Sequence, residues 1–168
     1  MAHLIDRNGL RPDGWTVFDG DAGAIPAGAD VLIPLDEWRE RAGAWRARGG
    51  RLGLLLSPSD DVAAVAGELD AFALVAVDFP RFTDGRGYSS ARLLRERLGW
   101  RGELRAVGDV LRDQLFLLAR CGFDSFALRA DQDPQAAVQA FQDFSVRYQA
   151  ATDQPLPLFR RRRDAVPA

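Results

Sequence analysis

The amino-acid sequence predicts a single α/β domain with about five βα units, arranged as an incomplete barrel or an open, mainly parallel sheet. Three observations predict it. Short apolar runs rich in Val, Leu, Ile, Ala and Phe alternate with stretches of helical periodicity from Val31 to about Tyr148. Capping or glycine signals punctuate those stretches. Finally, the 168-residue length suits one hydrophobic core, and the 47% apolar and 27% charged fractions are those of an ordinary folded domain.

Residues 1–30 carry Asn8-Gly9, Asp13-Gly14 and Asp19-Gly20 around Trp15, Val17 and Phe18, which predicts an N-terminal hairpin-like appendage. The βα core then spans residues 31–150. Its first strand is Val31 to Pro34, and Leu35, Trp38, Ala42 and Trp45 line one face of the helix that Gly49-Gly50 terminates. A second strand, Leu52 to Leu56, leads to a helix opening near Ser59-Asp60. The third strand, Leu74 to Asp78, leads through a long loop to a helix starting at Ser89, with Ala91, Leu94 and Leu98 inward. After the fourth strand, Leu104 to Val107, a helix from Asp109 to Gly122 carries apolar residues on more than one stripe. That width suits packing on two sides, or a homodimer interface. The fifth strand is Ser125 to Arg129, and Asp133-Pro134 starts a helix reaching about Tyr148. Residues 151–168, with Gln154-Pro155-Leu156-Pro157 and Arg160 to Arg163, read as a Pro/Arg-rich tail. Five units are too few for a closed eight-stranded barrel.

Composition excludes several chemistries. Every basic side chain apart from His3 is arginine, so Schiff-base catalysis and the lysine of a phosphate-binding Walker loop are absent. Cys121 alone makes no internal disulfide, zinc site or iron–sulfur cluster, and a single histidine, His3, argues against Ser-His-Asp catalysis. No metal site is expected. A net charge of −2 gives no global field toward nucleic acid, and no segment has the length and apolarity of a membrane span. A cytoplasmic location is the expectation.

Parallel α/β sheets bind ligands where loops gather at the carboxyl ends of strands. That rule selects Ser57 to Asp60, Asp78 to Ser90, Gly108 to Asp113, and Arg129 to Asp133. The second segment is the longest. Its Gly85 and Gly87 permit close backbone approach, Arg81 and Arg86 suit bidentate bonds to an oxyanion, and Ser89 adds a hydroxyl. Arg112 and Arg129 sit at neighbouring strand ends and complete the expected anion site. Asp78, Asp84 and Tyr88 are the candidates for proton transfer. The plainer alternative makes Asp84 and the glycines a turn, Ser89 a helix cap and the arginines solvated. Gly85-x-Gly87-x-x-Ser90 fails as a dinucleotide fingerprint because the glycines lie beyond the strand and the third glycine is missing. No intrinsic cofactor is therefore expected, and an oxidoreductase would need a borrowed flavin or nicotinamide.

Asp84-Gly85-Arg86-Gly87-Tyr88-Ser89, Gly108-Asp109-Val110-Leu111-Arg112-Asp113-Gln114 and Cys121-Gly122-Phe123-Asp124 occur in that order. This string of motifs resembles the bacterial domain-of-unknown-function family nine hundred and thirty-four, over roughly residues 31–148. Members are commonly encoded beside assimilatory sulfite reductase, and some are labelled oxidoreductases without a defined reaction. The resemblance implies an accessory protein of sulfate or sulfite reduction that binds a small anion or the reductase itself. It supplies no catalytic residues. An enzyme with a borrowed cofactor and a non-catalytic, self-associating scaffold are the competing readings.

Overall fold

The apolar runs become strands close to where the sequence places them. The computed structural model describes residues 3–164. Its strands are β1 (His3–Asp6), β2 (Gly9–Leu10), β3 (Trp15–Val17), β4 (Asp30–Pro34), β5 (Leu52–Leu56), β6 (Leu74–Phe79), β7 (Glu103–Val110) and β8 (Ser125–Leu128). They form one sheet in the order β2-β1-β8-β7-β6-β5-β4-β3. From β3 to β8 all neighbours are parallel, while β1 joins β8 antiparallel and β2 joins β1 antiparallel.

The N-terminal segment joins the same sheet. Asn8-Gly9 does turn a hairpin, but the hairpin is β1–β2 and it extends the sheet beyond β8. Trp15 to Val17 leaves it and pairs with β4 at the far edge. This connectivity forces the sheet to curl. In a flat eight-stranded sheet the edge strands would stand about 34 Å apart. The chain from Leu10 to Trp15 reaches only about 18 Å even when extended. The result is an open, half-barrel sheet with the four residues Arg11 to Gly14 strapped between its edges.

Alternation along each strand divides the side chains between two faces. Val31 and Ile33, Leu54 and Leu56, and Val75, Val77 and Phe79 enter the main core beneath the helices. Leu32, Leu74 and Ala76 form a smaller inner cluster, against which Trp15, Leu55 and Val107 pack. The inner face also holds Arg105, whose side chain is only 3% exposed. Its guanidinium bonds Asp13 of the strap at 2.9 Å and Glu103 at 3.0 Å, and Ser125 Oγ donates to Glu103 at 2.6 Å. Burial works to raise the Glu103 carboxyl, but Ser125, Arg105 and Arg11 outweigh it and hold the group below its ordinary range.

The helices depart further from expectation than the strands. Helix α1 (Leu35–Ala47) buries Leu35, Trp38 and Trp45 as its spacing predicts. The second stretch winds instead as 3₁₀ turns from Val62 to Ala71, with Val62, Val65 and Leu69 buried. Helix α2 (Arg86–Arg92) opens three residues before Ser89, because Asp84 accepts the Arg86 backbone N–H at 3.2 Å, and it continues as a π turn over Leu93–Arg97. No helix opens at Asp109. There β7 runs on to Val110, which pairs with Leu128, and helix α3 begins only at Leu115 and ends at Arg120. Helix α4 (Pro134–Gln139) starts on the expected Asp133 cap but stops well short of Tyr148, with a 3₁₀ turn at Ala140–Gln142. Beyond it, Phe144 packs on Phe116 with ring centroids 4.8 Å apart, and Arg147 lies over the same ring. The chain thus covers one flank of its own wide fourth stretch, leaving Leu117 52% exposed. Within the Pro/Arg-rich segment, Ala151 bridges Gln154 and helix α5 (Leu158–Asp164) returns to Tyr148 and Arg147, while residues 165–168 lie outside the described residues. Among the described residues no helix is long and apolar enough to cross a membrane.

Candidate functional site

The carboxyl ends of β5 to β8 open on one side of the sheet, and the loops that follow them meet there. Asp78 and Phe79 close β6 on opposite faces. Asp78 looks inward onto a cavity of about 250 Å³ shared with Asp36, Leu55, Ser57 and Asp60. Burial, reinforced by the negative charge of Asp84, pushes its carboxyl above the ordinary range. Phe79 looks outward and stacks edge-on against Tyr88, with centroids 5.5 Å apart. The two proton-transfer candidates Asp78 and Tyr88 thus serve different sides of the sheet. The Tyr88 hydroxyl is itself raised in pKa by burial.

Gly87 is buried against that ring, and a Cβ there would lie 2.6 Å from Phe79 Cζ. Its missing side chain lets α2 settle onto the sheet. Gly85 faces open space at the start of α2, and Ser89 is exposed on the helix. Gly108, at φ +94°, brings β7 against β6 so closely that a Cβ would meet Asp78 Oδ1 and the Phe79 carbonyl oxygen at 2.5 Å each. Only a glycine meets both demands.

That close approach carries Asp109 into the mouth. One carboxylate oxygen accepts the Phe82 N–H at 2.9 Å, and the other accepts Arg129 Nη1 at 2.8 Å. Gln114 Nε2 then donates to the Phe82 carbonyl at 3.0 Å. The peptide groups of Phe82 are held from both sides, yet the residue is 53% exposed. The Phe82 amide, then Arg129, hold the Asp109 carboxyl below its usual range. Arg112 completes the junction through its backbone N–H, which donates to Gln132 Oε1 at 3.2 Å.

Three of the four loops selected from sequence are therefore interlocked, and Ser57 and Asp60 of the fourth share the Asp78 cavity. The arginines, however, arrive with partners. Arg86 forks onto Asp84 at 3.0 and 2.7 Å, Arg129 is gripped by Asp131 and Asp109, and Arg112 pairs with Asp143 at 3.2 Å. The Arg81 carbonyl accepts the Asp84 N–H at 2.9 Å, while its exposed guanidinium makes no hydrogen bond or ion pair with the described residues. Sequence reasoning missed Phe82 and Gln114. Phe82 lies inside the Asp78 to Ser90 loop and Gln114 ends the second motif, but nothing local marks a phenylalanine as displayed or a glutamine as its clamp. Among the described residues, no three His, Cys, Asp or Glu side chains gather to hold a metal ion.

Compared with known proteins, residues 53–159 match the family described as "Bacterial protein of unknown function (DUF934)". The match takes in β5 from Gly53, β6 to β8, and all three interlocked loops. No curated protein matches the chain.

Proposed function

The chain belongs to the bacterial DUF934 family, and from that premise we propose that it is a cytoplasmic accessory protein of assimilatory sulfite reduction that docks on the reductase through this mouth. The link to sulfite reduction comes from the family resemblance. The mode of action rests on one observation: Phe82 is clamped through its backbone by Asp109 and Gln114 while the residue stays 53% exposed. An aromatic ring presented on an already ordered backbone loses little conformational entropy on binding, and such rings recur as the anchors of protein interfaces. Arg81 beside it adds a cation with no internal partner among the described residues, suited to a carboxylate on the opposing surface.

A small oxyanion at the same mouth is the second reading, and Arg81 favours it. Sulfite would otherwise have to compete with Asp84 for Arg86, and with Asp109 and Asp131 for Arg129. Docking asks for no such exchange.

The test is co-purification. Tagged protein from sulfate-grown cells is expected to recover the sulfite-reducing enzyme, and Phe82→Ala is expected to lose it while folding normally. Failure of the wild-type protein to recover the reductase, together with unchanged growth on sulfate after deletion, would overturn the reading.

A further inference from the structure

The third sequence motif, Cys121-Gly122-Phe123-Asp124, takes no part in the mouth. It immediately precedes β8 and so lies at the opposite end of the parallel strands. There it borders an open cleft of about 500 Å³, lined on its other sides by the β1–β2 turn, Arg95, Arg101 and Thr152. We propose that this cleft binds a small organic anion carrying a phosphate or sulfate monoester, independently of any docking at the mouth.

The motif builds one wall. Gly122 has φ +105°, and a Cβ there would fall 2.6 Å from Arg95 Cγ, so the glycine both permits the turn and admits the arginine. Arg95 then donates to the carbonyls of Trp100, Gly102 and Gly122 at 2.8 to 2.9 Å and pairs with Asp124. That guanidinium is spent on structure. Phe123, 2% exposed, supplies an apolar floor.

The remaining charge is unbalanced toward cations. Asp6 accepts the Asn8 N–H at 2.7 Å, Asp124 accepts Leu104 N–H at 2.8 Å as well as Arg95, and Asp153 faces Arg147 and Arg120. Asp124 is thus engaged by Arg95 and Asp153 by Arg147 through one oxygen, while Asp153 Oδ1 has no hydrogen-bond partner among the described residues and Asp6 is held mainly by a backbone N–H. Arg7 makes only a 3.4 Å contact to the Ala119 carbonyl, and Arg11 lies 3.7 Å from both Asp6 and Glu103. Arg101 makes no hydrogen bond or ion pair with the described residues. Three guanidiniums therefore keep most of their N–H donors for an occupant. Such forks match the oxygens of a phosphate or sulfate group. The volume lies in the range of small-molecule sites and exceeds what an inorganic anion fills, so an organic body is expected on the apolar side.

Calorimetric titration of the full chain with 4-nitrophenyl phosphate, 4-nitrophenyl sulfate, inorganic phosphate and uncharged 4-nitrophenol tests the proposal. At least one ester is expected to saturate, more tightly than inorganic phosphate, and 4-nitrophenol is not. The preferred ester identifies which monoester the site takes. Replacing Arg7 and Arg101 together by alanine is expected to weaken binding at least about tenfold. Both side chains are exposed, so an unchanged thermal melt checks the fold, and Arg39→Ala on α1 is expected to bind normally. Absence of saturation by either ester, equal affinity for inorganic phosphate, or unchanged affinity in the double variant would each overturn it. None of these outcomes bears on Phe82.

Discussion

Asp109 is the residue on which the mouth depends. It joins Phe82, 27 positions earlier, to Arg129, 20 positions later. In the sequence it follows a glycine and precedes an apolar run, which is also how a helix cap looks, and only the β6–β7 pairing turns its carboxylate to the loop. Asp109→Ala is expected to raise the hydrogen-exchange rate of the Phe82 amide by about tenfold without unfolding the protein. Its folded pKa is depressed, so its contribution is present above the ordinary carboxylate range and is lost as pH falls through the depressed value. The same amide should therefore lose protection in acid, below about pH 4. Asp78 has the opposite sign. A raised folded pKa means that folding disfavours its ionised form, so stability falls as pH rises from the unfolded value through the folded one. Asp78→Asn is expected to raise the melting temperature at pH 7 and to lose that advantage in acid. Gly108→Ala should cost at least about 1–3 kcal/mol in denaturant unfolding, through positive φ and overpacking together.

At the scale of elements, strands were more legible than helices. Leu52–Leu56 is strand over the bounds its apolar run predicts, because a strand buried on both faces needs only a short unbroken run. Helix ends depend on partners far away in sequence. The fifth stretch looks helical to Tyr148, yet Asp143 turns aside to Arg112 and Phe144 to Phe116, contacts that no local pattern encodes. Three of the candidate loops interlock in the structure, but the carboxylate partners of their arginines and the display of Phe82 belong to tertiary structure. The strap was equally hidden. Asp13-Gly14 reads as a turn, whereas Asp13 crosses the sheet to the buried Arg105 at 2.9 Å. Arg105→Ala leaves Glu103 without its main cation and is expected to cost about 3 kcal/mol. Replacing both residues by apolar ones of similar size should cost less than that single change, and the double-mutant cycle measures the difference.

For the whole molecule, the short connection between β2 and β3 dictates a curled sheet with two differently equipped ends. One end carries the clamped Phe82 loop and the other the arginine-lined cleft beneath the Gly122 turn. A chain of this length, folded as one compact unit, should scatter with a radius of gyration of about 15 Å as a monomer. A markedly larger value in dilute solution would favour the self-associating scaffold, with Leu117 and Phe144 as the exposed apolar contacts. Docking through the mouth is tested most directly by measuring how much sulfite reductase co-purifies with the wild-type chain and with the Arg81→Ala/Phe82→Ala variant from sulfate-grown cells. Retention by the wild type and loss by the equally well folded variant is the expected result, and equal retention by both would contradict docking at this loop.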